Sequence, residues 1–193
     1  MQDLLFDSGT LDKDVVYTPD WCARDMVQHF KPTGRVLEPS KGGGAFLQYL
    51  PGAEWCEIAE GRDFFRHFER YDWLVGNPPY SCIPKWCRHS FQLADNVVYL
   101  IPCRSVFLGP TFVRDLYQWG GIAEMRHYGG GSALGFPMGN AVAAFHFRKD
   151  WHGDMKVTHY KQPNVEFSGG APLHGAASAG TQGYASGGGK DEA

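Results

Sequence analysis

Residues 71–76 read YDWLVG, an apolar run that passes straight into Asn77-Pro78-Pro79-Tyr80. Proline fixes φ and carries no N–H, so a buried strand cannot continue through two of them. The chain must leave its sheet at Asn77, and the turn that follows is held stiffly at the carboxyl end of a strand. Upstream and downstream, short apolar runs alternate with helix-like stretches. That is the pattern of βαβ units, and it predicts an α/β fold with a mostly parallel sheet.

The other elements follow from local signals. Thr18 is a candidate N-cap with Pro19 in the first turn, and WCARDMVQHF then places Trp21, Met26 and Phe30 at helical spacing. After the breaker KPTG, RVLEP reads as a short strand, SKGGG as a turn and AFLQYL as a short helix stopped by Pro51-Gly52. AEWCEI is a second strand, and GRDFFRHFER a loop before YDWLVG. IPKWCRHSFQLA has a helical pattern, NVVYLIP a buried β-branched one, and RDLYQWGG closes a further helix at its glycines. IAEMRHY and AVAAFHFRKDW, joined by a glycine-rich connection, predict an antiparallel hairpin at the end of the sheet. Residues 168–193 are dominated by Gly, Ala and Ser, which predicts a folded domain over 1–167 and a flexible tail over 168–193.

Composition narrows the classes. Of 193 residues 43% are hydrophobic, enough for one core, and the formal charge is −3, so nucleic acid cannot be bound through bulk charge. Lys85, Arg88, Arg104, Arg114 and Arg126 are the candidates for a local positive rim, although scattered solvated charges are the ordinary reading. The five cysteines form no CxxC pair and follow no secretory leader, which fits a reducing cytoplasm. No apolar run has membrane-spanning length, and the eight histidines show no metal-binding spacing. Trp21, Trp55, Trp73, Trp86 and Phe30 read as core, as do the thiols Cys82 and Cys87.

Two motifs carry chemistry. In Glu38-Pro39-Ser40-Lys41-Gly42-Gly43-Gly44 the glycines sit at a strand-to-helix junction, where they permit φ > 0 and let a ligand approach the main chain. A tight turn would need the same glycines, and no GK[ST] follows to make a phosphate-binding loop. In Asn77-Pro78-Pro79-Tyr80 a rigid turn offers an amide and an aromatic ring at the sheet edge where α/β folds bind ligands.

With Tyr17-Thr18-Pro19 ahead of LEPSKGGGAF and NPPY, the order of motifs resembles the S-adenosylmethionine-dependent methyltransferases that act on adenine N6 in DNA. The resemblance covers residues 15 to 150 and implies a Rossmann-like class I methyltransferase fold, with S-adenosylmethionine as cofactor and DNA as partner. It places Tyr17, Thr18, Pro19, Glu38, Pro39, Gly42, Gly44, Glu57, Asp63, Phe64 and Asn77 around the cofactor, with Glu57 on the ribose and Asp63 at the adenine amine. Glu54 and Glu60 lie close enough to Glu57 to compete for the ribose position. Asn77, Pro78, Pro79 and Tyr80 would be catalytic, and Tyr80 and Phe136, the latter from Gly135-Phe136-Pro137, would stack on a flipped base.

The chain departs from the family in three ways, the first being that its loop reads Lys41-Gly42-Gly43-Gly44 where an acidic residue often stands among the glycines. Only five residues separate Glu57 from Asp63, so the sheet is expected to be trimmed between strands 2 and 4. No separate recognition domain follows the last strands, so sequence specificity must be low, short or supplied by a partner. The alternatives for the reaction are RNA adenine, cytosine N4 or a glutamine amide. A non-catalytic nucleic-acid or cofactor-binding module is the alternative of another class.

Overall fold

Strand β3 (Tyr71–Gly76) lies near the middle of a seven-stranded sheet and ends where the two prolines dictate. The computed structural model describes residues 16–161 except 108, 137 and 138; the predicted tail, the 167/168 boundary and Pro137 fall outside them. Up to Tyr160 the described residues form one compact unit. The other strands are β1 (Val36–Glu38), β2 (Glu54–Trp55), β4 (Ala94–Pro102), β5 (Gly120–Gly130), β6 (Ala141–Lys149) and β7 (Lys156–His159). Their spatial order is β2-β1-β3-β4-β6-β5-β7. β2, β1, β3 and β4 run parallel, β6 is antiparallel to both β4 and β5, and β7 is parallel to β5.

The sheet is therefore mostly parallel with an antiparallel hairpin. It is trimmed as expected: β2 is an edge, and residues 56–70 reach β3 through two 3-10 turns, Ile58–Glu60 and Phe64–Arg66, with no intervening strand.

Helices cover both faces. Helix α1 (Asp20–Phe30) buries Cys22, Ala23 and Met26 against Val36, Val75, Val98 and Leu100. Helices α2 (Ile83–Leu93), α3 (Cys103–Phe107) and α4 (Pro110–Trp119) cover the other face. In α2, Ile83, Trp86, Cys87, Ser90 and Phe91 form the i, i+3, i+4, i+7 stripe of an amphipathic helix, packed on Leu74, Val97 and Tyr99. Pro84 and Pro110 sit in the first turns of α2 and α4, where a missing N–H costs nothing. Among the described residues no helix is long and apolar enough to cross a membrane.

Several local expectations are corrected. Helix α1 begins at Asp20 with Pro19 as its N-cap and no side-chain cap, so Thr18 does not cap it; the Pro19 carbonyl accepts from Cys22 N and Ala23 N instead. AFLQYL forms consecutive turns rather than a helix, because glycines before it and Pro51-Gly52 after it leave too few residues to propagate hydrogen bonds. AEWCEI contributes only Glu54–Trp55 to the sheet. Helix α4 does close at its glycines as expected: Gly120 is its C-cap and also the first residue of β5.

Strand β7 had no apolar signature, and polar contacts hold it. Thr158 Oγ1 donates to Glu124 at 2.8 Å, Lys156 pairs with the same carboxylate at 3.3 Å, and the Tyr160 ring stacks on Trp21 at 4.9 Å.

Asp25 fastens α1 to β5. Arg126 donates to both its oxygens at 2.6 and 2.8 Å, and the Tyr128 hydroxyl donates to it at 2.7 Å. Removing one partner strands a charge in a mostly buried site, so Arg126→Ala should cost about 3–5 kcal/mol. Asp25→Ala combined with Arg126→Ala should cost less than the sum of the single changes, as read by urea unfolding.

Candidate functional site

The carboxyl ends of β1, β2 and β3 surround a cavity of about 360 Å³, within the ~300–1,000 Å³ range of small-molecule sites. Its walls are built by the two motifs and the segment ahead of α1.

β1 ends at Glu38, which is 1% exposed. The chain then turns through the glycine loop, with Gly42 and Gly44 at φ of 50° and 76° and Gly44 N bonded back to Lys41 O at 2.8 Å. The exposed Tyr17 ring lies over this loop, and a Cβ at Gly43 would stand 3.4 Å from it, ordinary contact distance. The Glu57 carboxylate braces the loop from the side, accepting from Gly42 N at 2.8 Å and Ala59 N at 3.2 Å.

Among the three neighbouring carboxylates Glu57 alone faces the cavity. Glu54 is held outside by Arg35 and the Tyr71 hydroxyl, and Glu60 by Lys41. Asp63 lines the next stretch, its Oδ1 accepting from Phe65 N at 2.9 Å and capping the turn that carries Phe64. The buried Phe64 ring stacks on Trp86 at 4.6 Å.

The tetrapeptide closes the opposite wall. Asn77 Nδ2 donates to the Val16 carbonyl at 2.9 Å, and Ser40 Oγ donates to the Asn77 carbonyl at 3.0 Å. Only the amide nitrogen can donate to Val16 O, so the side-chain orientation is determined. Asn77 Oδ1 is left buried and without a hydrogen-bond partner among the described residues, and so is Glu38 Oε2. Two buried acceptors in one cavity call for donors from a ligand. Pro78, Pro79 and Tyr80 continue the wall.

The structure thus brings Tyr17, Thr18, Glu38, Pro39, Gly42, Glu57, Asp63, Phe64, Asn77, Pro78, Pro79 and Tyr80 to one cavity. It does not bring Pro19, Gly44 or Phe136 to the wall. Pro19 caps α1 and Gly44 closes the loop turn. Phe136, 6% exposed, packs in the core beneath α1 with Leu134 and Tyr128. Sequence reasoning missed Val16, Ser40, Phe65 and Arg62 as lining residues. Val16 acts through its backbone carbonyl, which no side-chain pattern announces. Trp86, read as core, is buried and also lines the cavity, as does the half-buried Cys82.

The fold has counterparts among solved structures. A modification subunit of a type I restriction enzyme from Vibrio vulnificus aligns with 79% of this chain at a TM-score of 0.55 and 14% identity, and the chain spans 48% of its length. A class I S-adenosylmethionine-dependent methyltransferase from Listeria monocytogenes aligns with 78% at 0.53 and 10% identity, with 69% of that chain covered. The fold is that of the class I methyltransferases. A 23S rRNA methyltransferase, ErmE, shares it at 0.50 and 14% identity over 69% of this chain and 70% of that one. No protein-family profile matches the chain, and no curated protein sequence does. Against this class I methyltransferase fold, the chain spans about half the length of the restriction-modification subunits it resembles.

Burial pushes the Glu38 carboxyl up to about 8, Lys41 opposing the shift and Glu57 adding to it. The native chain therefore keeps a proton that the unfolded chain, at an ordinary 4.5, has released by neutral pH. The stability this group provides is complete below pH 4.5 and is lost as pH rises towards about 8. Glu38→Gln, which is permanently neutral, should melt at a higher temperature relative to wild type at pH 8.5 than at pH 5. A difference independent of pH in thermal melts would show that Glu38 is charged in the native state.

Proposed function

We propose that the chain transfers a methyl group from S-adenosylmethionine to the N6 amine of an adenine in DNA. The observation that carries this reading is the fixed, buried and unsatisfied Oδ1 of Asn77, at the carboxyl end of β3 and in the same cavity as the glycine loop.

The donor set fits the cofactor. Glu38 Oε2 is a buried oxygen without a partner, and an ammonium group beside it would draw off the proton that burial retains and favour the carboxylate; Glu57 lies beside the glycine loop where ribose hydroxyls can reach it, and Asp63 with Phe64 offers a carboxylate and a ring to a purine. When bound, the cofactor supplies a methyl on a sulfonium: the N–C bond forms as the S–C bond breaks, and the electron pair stays on sulfur.

The protein's task is to prepare the amine. An adenine N6 lone pair is delocalised into the ring and attacks poorly until the nitrogen is biased towards tetrahedral geometry. Asn77 Oδ1 accepts one amino hydrogen, and the Pro78 carbonyl, in a turn stiffened by two fixed φ angles, accepts the other. Both acceptors also stabilise the positive charge that develops on nitrogen, and the proton leaves to water after transfer. Tyr80 offers a ring for the base, which must be flipped because N6 is out of reach inside a duplex. Phe136 is buried in the core and does not reach the cavity wall, so it is not proposed to cover the base.

RNA is the second substrate to test, since a 23S rRNA methyltransferase shares the fold. Labelled methyl transfer onto DNA, RNA and protein in parallel separates the readings, with label expected as N6-methyladenine in digested DNA. Asn77→Ala should cut the rate by ~10²–10³ while cofactor affinity, read by calorimetry, stays within a few-fold. Tyr80→Ala should raise the KM for DNA as well as lower kcat, because stacking holds the base before and during transfer. Full activity in Asn77→Ala, or label confined to protein, would overturn the mechanism.

A further inference from the structure

Beside the cavity, the three helices on one face of the sheet carry a net positive charge. Helices α2, α3 and α4 pack on one another, and their Lys and Arg residues are Lys85, Arg88, Arg104 and Arg114 against one carboxylate, Asp115. That carboxylate is shared, taking Arg88 Nε at 2.6 Å and an Arg114 NH group at 3.0 Å. One negative charge between two guanidiniums leaves the group positive. Arg104 is exposed and makes no ion pair among the described residues, and Phe107, one turn later on the same helix, is 54% exposed. The chain as a whole is at −3, but residues 16–161 hold 16 Lys and Arg against 14 Asp and Glu, so the described residues are themselves slightly positive and these three helices contribute to that excess.

Its position follows from the connections. The Tyr80–Cys82 turn leads directly into α2, and β4, which pairs with β3, leads directly into α3. Both helices therefore start at the sheet edge that carries Asn77. The cavity joins this face through Phe65, which lines the cavity and lies 4.3 Å beneath the Lys85 ammonium.

We infer that the α2–α3–α4 face is the seat of the DNA backbone beside the target adenine, with Arg104 and the Arg88–Asp115–Arg114 group as its phosphate contacts. The inference rests on the DNA reading above and assigns that reading a surface. The cations are spread over three helices instead of converging on one point, which suits a polyanion and not a single phosphate. They stand on rigid helical surface, not along a groove of stacked rings, which suits the regular backbone of a duplex more than a threaded single strand. Asp115 then limits the attraction, holding two guanidiniums in place while cancelling part of their charge.

The test is the anisotropy of a labelled adenine-containing duplex titrated with the full chain at several salt concentrations. Removing one phosphate contact with Arg104→Ala should lower the slope of log Kd against log salt by about 1 and weaken binding alike for all sequences. Arg104→Glu should weaken it by about tenfold or more. Asp115→Asn frees both guanidiniums from a fixed negative charge and should tighten binding several-fold with a steeper slope, an outcome that damage to the fold would not produce. Cofactor affinity should be unchanged in all three variants.

Wild-type binding that none of these substitutions alters would overturn the surface while leaving the DNA reading intact. Absence of any duplex binding would overturn both. Tighter binding of a single-stranded RNA that depends on the same residues would reassign the surface to RNA.

Discussion

Two strand ends have to meet closely for this site to exist. Gly76 is the last residue of β3, and a Cβ there would come within 3.3 Å of Pro39 and 3.5 Å of the Ser40 hydroxyl. Its absence lets the turn after β1 settle against the tetrapeptide, where Ser40 Oγ holds the Asn77 carbonyl and the Val16 carbonyl holds the Asn77 amide nitrogen. Three separate segments are joined by one residue. The same arrangement leaves the Asn77 oxygen unsatisfied, so the contacts that assemble the wall also produce its unpaired acceptor. A buried acceptor without a donor is costly, and a site that keeps two of them stores binding energy for a ligand that supplies donors.

The loss of a βα unit shifts work onto side chains. With no strand beside β2 and no helix behind it, residues 56–70 must satisfy their backbone groups elsewhere. His89 Nε2, on α2, lies 2.9 Å from both the Phe64 and His67 carbonyls, so that nitrogen carries the proton and donates to them. Burial lowers its pKa, which favours that neutral state. Tyr71 bridges His67 and Glu54, and Arg35 reaches Glu54, Glu69 and the Arg70 carbonyl. The exposed edge is a two-residue strand whose Trp55 ring is covered by the Lys41 and Arg62 cations, an arrangement that discourages edge-to-edge pairing. A contracted connection can then hold Asp63 and Phe64 in place without the missing layer.

Electrostatics divides the molecule by region. The acidic groups that face the cavity, Glu38, Glu57 and Asp63, are suited to a cofactor that brings a positive charge and hydroxyl donors. The helices leading away from Asn77 carry a net positive charge, four Lys and Arg residues against Asp115.

Pattern and punctuation in the sequence determined the α/β class, the ends of β3 and α2 and the final hairpin. These are local properties: prolines forbid continuation, and apolar spacing selects helix or strand. The trimming between strands 2 and 4 was legible only through the family resemblance. The motifs also marked most of the cavity wall, because side chains at strand ends share an edge whatever the details of packing.

Only the tertiary structure chose Glu57 over Glu54 and Glu60, since the direction of each side chain depends on which partner holds it. It also turned Phe136 into the core, set β7 beside β5 through Glu124, and recruited the Val16 carbonyl. Backbone acceptors and polar edge contacts leave no periodic trace in a sequence, and their partners lie far apart along the chain. Tertiary packing likewise gathered Lys85, Arg88, Arg104 and Arg114 onto adjoining helices, where spacing along the chain had suggested scattered charge.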